Sequence, residues 1–253
     1  MSIRGPRRKR RWLRWLVAVV VVLVLFFVGG PFVYIHFIEG KAPAPLRLST
    51  ATTTPAPSTS ASPATTAGTA TGAASAGSST SVDGTWKVAA GSVAGYRIKE
   101  ILFGQSNTAV GRTSTITGSI TIVGSQVSTG TFTVDMTTVK SDQTERDRQF
   151  QGRIMDTAQY PTSTFVLTKP IDLGSIPADG VVVTETATGN LTLHGTTRSV
   201  TFTVQARRSG STISVSGSIP IVFADYNISN PSGGPAQTSD NGTLEFLLNF
   251  TQV

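Results

Sequence analysis

Residues 200–222 read Val-Thr-Phe-Thr-Val-Gln-Ala-Arg-Arg-Ser-Gly-Ser-Thr-Ile-Ser-Val-Ser-Gly-Ser-Ile-Pro-Ile-Val, and their period decides the fold. Val200, Phe202, Val204 and Ala206 alternate with Thr201, Thr203 and Gln205. Past Ser209-Gly210 the same pattern resumes, with Ile213, Val215, Gly217, Ile219 and Ile221 separated by polar residues and Pro220. A period of two, apolar on one face and Ser/Thr on the other, is that of half-buried antiparallel strands. The pattern recurs at Ile116/Gly118/Ile120/Ile122, at Phe132/Val134/Met136 and at Leu244/Phe246/Leu248/Phe250. Breakers fall between the runs, at Gly124-Ser125, Gly174, Asp179-Gly180, Gly195, Gly233-Gly234 and Asn241-Gly242. About eight strands fit into 82–253, a spacing that suits a closed barrel or a sandwich.

One stretch departs from the period. Ser141 to Met155, SDQTERDRQFQGRIM, reads as a short amphipathic helix. Asp142 and Glu145 have capping-box spacing. Phe150, Ile154 and Met155 form an apolar side suited to closing one end of a barrel. An Arg146–Asp147 ion-pair network is expected to fix this helix to the rim.

The N-terminal third is different in kind. Residues 1–81 carry nine Lys or Arg and one acid, whereas 82–253 carry 12 bases and 13 acids. The formal +7 and the pI near 10.1 therefore belong to the tail. No basic face is implied for the C-terminal domain, and nucleic acid is not an expected partner. Residues 1–14 form a basic tail. From Trp15 to Ile38 there is no Asp, Glu, Lys or Arg. That length crosses a bilayer core of about 30 Å at about 1.5 Å per residue. The basic flank predicts a cytoplasmic N-terminus with the rest outside the cell membrane. The length of the run and the missing small-residue cleavage site favour an uncleaved single-pass anchor at 15–38 over the alternative, a cleaved signal peptide. Residues 39–81 read as a disordered stalk: from Ser49 to Ser81 only Ala, Ser, Thr, Pro and Gly occur. As a coil, that run reaches about 30 Å and is expected to hold the domain off the bilayer.

Composition also bounds the chemistry. There is no Cys, so disulfides, thiolate metal sites and Cys nucleophiles are excluded. Only His36 and His194 are present, which leaves no multi-imidazole metal site. His194 sits at a strand end entering a turn, where a free imidazole is the ordinary case. Asp142, Glu145 and Asp147 lack the glycine and bidentate glutamate of a calcium loop. No catalytic residue, metal ligand or cofactor is expected.

Three motifs carry a resemblance: SDQTERD at 141–147, YPTSTF at 160–165 and GNLTLHGTTR at 189–198. Val93 to Arg97, Gly118 to Gly124 and FADYNI at 223–228 agree with it. Residues 82–253 resemble the YceI-like family of exported proteins that bind polyisoprenoids and related lipids. The resemblance implies an eight-stranded antiparallel lipocalin-like barrel around an elongated apolar tunnel. Many members carry a His after the first strand; here Lys99-Glu100 stands in that neighbourhood.

Taken with the alternating faces, it implies a lipid-binding wall of Phe132, Val134, Met136, Phe165, Leu167, Leu191, Leu193, Phe202, Val204, Ile219, Phe246 and Leu248. Phe150, Ile154 and Met155 would close one mouth. Gly118, Gly189, Gly217 and Ala206 share these faces and are expected to leave volume for a ligand. The expected partner is a polyisoprenoid or another long-chain apolar lipid, held without catalysis. The alternative is a cell-surface β-sandwich adhesion module, which the anchor and stalk fit equally well.

Overall fold

Threonine-rich alternation gives twelve strands, all paired antiparallel: β1 (Gly84–Val88), β2 (Val93–Leu102), β3 (Gln105–Thr113), β4 (Ile116–Val123), β5 (Gln126–Asp135), β6 (Thr162–Leu167), β7 (Ile171–Asp172), β8 (Val182–Leu193), β9 (Thr196–Ser209), β10 (Thr212–Val222), β11 (Ala236–Thr238) and β12 (Asn241–Gln252). The structure, a computed structural model, describes residues 7–25, 42–48, 81–234 and 236–253. Eight strands close a ring in the order β1-β4-β5-β6-β8-β9-β10-β12 and back to β1. The fold is therefore a closed eight-stranded antiparallel barrel with a short helix, not a sandwich.

Closure depends on β12 serving two partners. Phe250 to Gln252 pair with Val88 to Trp86, and Thr243 to Leu247 pair with Arg97 to Val93. Ala89 to Ser92 are the extra residues between these two ladders, and only Leu248 and Asn249 stand opposite them. Buried Ser92 stitches the mismatch: its hydroxyl donates to the Ala89 carbonyl at 2.7 Å and accepts from the Asn249 amide at 2.9 Å. The β2–β3 hairpin thereby rises above the ring as an extension of its wall, and β11 pairs with its upper edge.

Two ends result. The upper rim carries the β2–β3 tip at Phe103-Gly104, the β8–β9 turn at His194-Gly195 and the Phe223–Tyr226 turn. Phe103 and His194 have φ of 50° and 49°, each followed by a Gly with φ near 75°, which makes both two-residue hairpin turns of the left-handed type. The lower rim carries the turns at 124–125 and 210–211 and the loop 173–181. Gly180 and Gly210 tie that loop to the β9–β10 turn through Arg208 O and the Asp179 carboxylate. The core divides accordingly. Trp86, Ile116, Ile120, Ile122, Ile213, Leu248 and Phe250 plug the lower part beside β1, with the Trp86 indole donating to Val82 O at 2.9 Å. A larger cluster fills the upper part.

The helix expected within 141–155 is α2 (Thr144–Gln149), continued by one wider turn over Phe150–Ile154. Its N-cap is Gln143 and makes no side-chain cap bond, so the expected Asp142/Glu145 capping box is not formed. Asp142 pairs with Arg146 instead.

The N-terminal helix α1 spans Arg7–Val24 and thus takes in part of the basic tail. Residues 15–25 are exposed throughout. Among the described residues no helix is long and apolar enough to cross a membrane. Residues 26–38 of the expected anchor, residues 1–6 of the tail, and 39–41 and 49–80 of the expected stalk lie outside the described residues.

Residues 42–48, placed in that stalk on composition, lie instead as a strap on the barrel wall. The Arg97 guanidinium donates to Pro43 O at 2.6 Å, the Arg112 guanidinium to Ala44 O at 2.5 Å, and the Leu46 amide to Glu245 Oε2 at 3.3 Å. Leu48 is buried. Glu245, only 4% exposed, also pairs with Arg97 at 3.3 Å and Arg112 at 2.9 Å. Gly95 stands between Glu245 and Arg112 in the β12–β2–β3 row, and without a side chain there the two meet across it. A Cβ at Gly95 would press on Arg112 Cγ at 3.0 Å. Composition could not show the strap because its partners are outward-facing charges of three strands distant in sequence.

Glu245→Ala should strand two guanidiniums that are only partly open to water. The expected loss is about 2–3 kcal/mol, below the ~3–5 of a fully buried pair. Glu245→Gln, which keeps an acceptor, should lose less. Urea midpoints of the two variants check this.

Candidate functional site

The ring encloses a cavity of about 500 Å³, within the roughly 300–1,000 Å³ of sites for small ligands. Its wall follows from the alternation. Even residues of β2, β4, β9 and β12 point inward, as do odd residues of β6, β8 and β10. β5 changes parity at an irregularity opposite Thr121/Ile122, which turns both Val127 and Gly130 toward the lumen. Phe132, Val134, Met136, Phe165, Leu167, Leu191, Leu193, Phe202, Val204, Phe246 and Leu248 lie on the wall, and Phe150, Ile154 and Met155 reach it from the helical segment. Ile219 is buried in the same cluster but does not line the cavity.

Five phenylalanine rings form a belt around the lumen. Phe246 meets Phe202 edge-on with centroids 6.0 Å apart, Phe202 meets Phe165 at 5.4 Å, Phe165 stacks on Phe132 at 6.4 Å, and Phe132 meets Phe250 at 5.8 Å. The glycines expected to leave ligand volume are the seats of these rings. A Cβ at Gly217 would stand 2.6 Å from Phe246 Cζ, and one at Gly118 2.8 Å from Phe132 Cδ1; at Gly189 it would strike the Phe165 ring. Phe246, Phe132 and Phe165 thus each lie over a glycine of the adjoining strand, so the volume is kept in the lumen by moving these three rings into the wall. Ala206 and Ala187 do face the open lumen.

The upper mouth mixes polar groups into this surface. Glu100, Gln143, Glu145, Arg146, Gln149 and Thr238 reach the cavity between α2 and β11. Glu100 accepts from Asn107 Nδ2 at 2.9 Å and pairs with Arg146 at 3.3 Å. The expected Arg146–Asp147 network is therefore differently wired. Arg146 ties the helix to β2 through Glu100 and also holds Asp142, while Asp147 accepts from the Ser141 amide at 2.7 Å and the Ser141 hydroxyl at 2.8 Å. Tyr96 stacks on Phe150 with centroids 5.1 Å apart. Burial pushes its hydroxyl pKa well up; Arg146 opposes this, and Asp147, Glu100 and Asp142 add to it.

His194 is not the free imidazole expected of a turn. Its Nδ1 lies 3.2 Å from Tyr226 O, and its ring meets Tyr160 edge-on at 4.6 Å. At the lower mouth Ile171, Leu173, Val183, Glu185 and Ala206 face the cavity. There β8 runs past the end of its ladder with β6, and 182–187 pair with β9 alone. Sequence reading missed Tyr96, Ile98, Glu100 and Glu185. For Glu185 the signal was present: Val183, Glu185, Ala187, Leu191 and Leu193 alternate with threonines and an asparagine. For β2 it was broken midway: Tyr96, Arg97, Ile98 and Lys99 alternate, but Glu100 on the inner face and Ile101 on the outer reverse the pattern. Among the described residues no group of three metal-ligating side chains is found. The arrangement can sequester an elongated apolar group and meet a polar end at the upper mouth.

A closed barrel of this size with a helix at one mouth and an aromatic-belted lumen is a lipocalin-like binding architecture. The model of the YceI-like domain matches residues 74–250, and the chain belongs to that family. A UPF0312 protein of Vibrio parahaemolyticus is 38% identical over 69 residues, which are 27% of this chain; the match spans about a third of that relative's length. A polyisoprenoid-binding domain from Saccharophagus degradans, implicated in plant cell wall breakdown, superposes with a TM-score of 0.56 at 17% identity, covering 67% of this chain and 99% of that one. Burkholderia cenocepacia BcnA gives 0.47 at 20% identity, over 61% and 95% of the two chains.

The Tyr96 hydroxyl ionises near pH 10 in an unfolded chain and above that in the barrel. Above about pH 10 the unfolded state has therefore released more protons, and stability must fall as pH rises. Tyr96→Phe should flatten this alkaline decline, leaving the smaller part expected from Tyr226, whose pKa burial also raises. Urea midpoints between pH 9 and 11 read it.

Proposed function

We propose that this protein is a membrane-anchored, extracytoplasmic carrier that holds a polyisoprenoid or similar amphiphilic lipid in the barrel without catalysis. The cavity carries this reading: about 500 Å³ walled by a belt of phenylalanines, with charged and amide side chains confined mainly to the two mouths. Burying an apolar tail there gains about 25 cal/mol per Å² removed from water, roughly 0.8 kcal/mol per methylene. The polyisoprenoid-binding domain of like fold supports the ligand class. The apolar run 15–38 and the exposure of every residue from 15 to 25 support the anchor.

The residues that sequence and structure place on the wall would hold the tail, and Glu100 with Arg146 would meet its polar end. Nothing in the site assembles a nucleophile with a base and an orienting group: the one barrel imidazole is held by Tyr226 O and Tyr160.

Organic extraction and mass spectrometry of the purified protein should release a long-chain isoprenoid or related lipid. Recovery of none from a preparation that also fails to take one up would overturn the reading. The decisive variant fills the lumen where a side chain has room. Ala206→Phe should keep the barrel folded by circular dichroism and lower lipid recovery several-fold. Gly217→Phe is unsuited to this purpose, because it collides with Phe246 and should cost about 1–3 kcal/mol through overpacking whether or not a lipid is bound.

A further inference from the structure

The strap changes what the N-terminal segment does. Leu48 and Val82 are both buried, so the chain is held to the barrel on either side of 49–80. That segment does not set the domain's distance from a bilayer. That distance falls to the residues between Ile38 and Ala42, four Cα steps that span at most ~14 Å. The strap also has a direction. Leu46 contacts Glu245 on β12, Ala44 contacts Arg112 on β3, Pro43 contacts Arg97 on β2, and Ala42 and Pro43 line one small pocket with Asn107, Thr108, Ser141 and Asp142. Followed toward its N-terminus, the chain crosses from β12 to β3 and climbs toward the upper rim. At Thr108 it is four residues below the β2–β3 tip, about 13 Å at ~3.3 Å per residue.

That tip is unusual for a water-facing turn. Ile101 and Phe103 are 44% and 48% exposed. Phe103 holds a φ of 50°, a conformation that bulky residues seldom adopt and that Asn or Gly would take more readily. Beside it opens the mouth lined by Glu100, Leu102, Arg146 and Ala236.

We propose that the strap fixes the barrel with its helix-capped upper mouth against the bilayer from which the anchor emerges, and that Ile101 and Phe103 enter the headgroup–acyl boundary. This orientation rests on the anchored reading above. It gives the cavity a route to the membrane that never exposes an apolar tail to water. The lower rim, which also shows apolar residues at Ile176, Val181 and Val182, then faces away.

Because the chain has no Cys, a single introduced thiol reports one position. The full chain, carrying a polarity-sensitive fluorophore at Phe103→Cys or at Val181→Cys, is reconstituted into phosphatidylcholine–phosphatidylglycerol vesicles with acyl-brominated lipid as quencher. The label at 103 should be blue-shifted and lose emission to the quencher, and the label at 181 should not. A flexible Gly–Ser insertion of about twenty residues after Gly40 should lower quenching at 103 several-fold, because the docked strap then no longer holds the barrel within about 14 Å of the anchor. Leu46→Pro without the insertion, which removes the amide donated to Glu245, should likewise lower quenching at 103; circular dichroism of the barrel should be unchanged in both variants. Quenching at 181, equal quenching at both positions, or none at either while the chain remains in the vesicles overturns the orientation but spares the anchor. A chain that separates from the vesicles on flotation overturns the anchor, and the orientation with it.

Discussion

Everything in this barrel depends on β12 closing the ring against two successive strands. An open sheet of this composition would present two unpaired edges, and with no Cys in the chain no covalent bond could draw them together. The ladder from β12 to β1 shuts the lower half and the ladder to β2 shuts the upper half. Their offset, absorbed at Ala89–Ser92, lets the β2–β3 hairpin stand above the ring. The polar mouth, the strap site and the exposed tip all belong to that raised hairpin. Ser92 matters here for its position: a hydroxyl that both donates and accepts satisfies backbone groups a plain ladder would have left unpaired at a buried seam.

The lumen is kept open by pairing large with small across neighbouring strands. Phe132 over Gly118, Phe165 over Gly189 and Phe246 over Gly217 each place a ring where a side chain on the next strand would otherwise point. An eight-stranded barrel is near the size at which its own side chains fill it. With rings laid along the wall, the space across the axis remains. Phe132, Phe165 and Phe246 each have a glycine behind them and other rings beside them, and Phe202 and Phe250 complete the belt through ring contacts alone.

Much of this was legible in the sequence, and the failures have physical causes. Alternation placed Phe165, Leu191, Phe202, Val204 and Phe246 on one face without help from structure, because a strand's faces are set by parity alone. Parity does not say whether a glycine marks empty space or a covered seat; that depends on the residue opposite, which only register supplies. Nor does it say which charges meet. Arg146 was expected beside Asp147 by proximity in sequence, yet helix geometry turns those neighbours to different sides, and Arg146 finds Glu100 on β2. Ile219 was assigned to the wall by parity and does point inward, but it is covered by other core residues. Residues 42–48 were hidden for a different reason: Ala and Pro bring little affinity of their own, and the strap is held through backbone groups that every sequence possesses.

Of the stretches that carry the family resemblance, 141–147, 160–165, 189–198 and 223–228 gather toward the upper end of the barrel, whereas 118–124 runs down to the lower rim. Ser141 and Asp147 brace the start of the helix, Tyr160 packs on His194, Arg198 donates to Asp225 O, and Phe223, Tyr226 and Ile228 close beneath them. None of these groups lies at the lower mouth, where the wall is built from threonine alternation and glycine turns that many sequences would satisfy. A lower rim that only terminates strands needs apolar parity and breakers. An upper rim that must hold a helix over a cavity needs particular donors and acceptors at particular places, because each buried polar group there costs stability unless its partner is present. Lys99-Glu100, in the neighbourhood where the resemblance implies a His in many members, stands at this same end, and Glu100 reaches the cavity there. A carboxylate at that position calls for a cation, and Arg146, on the turn that covers the mouth, provides one. The helix is thus tied to the rim by a charge pair at the place where a bound lipid's polar end would have to pass.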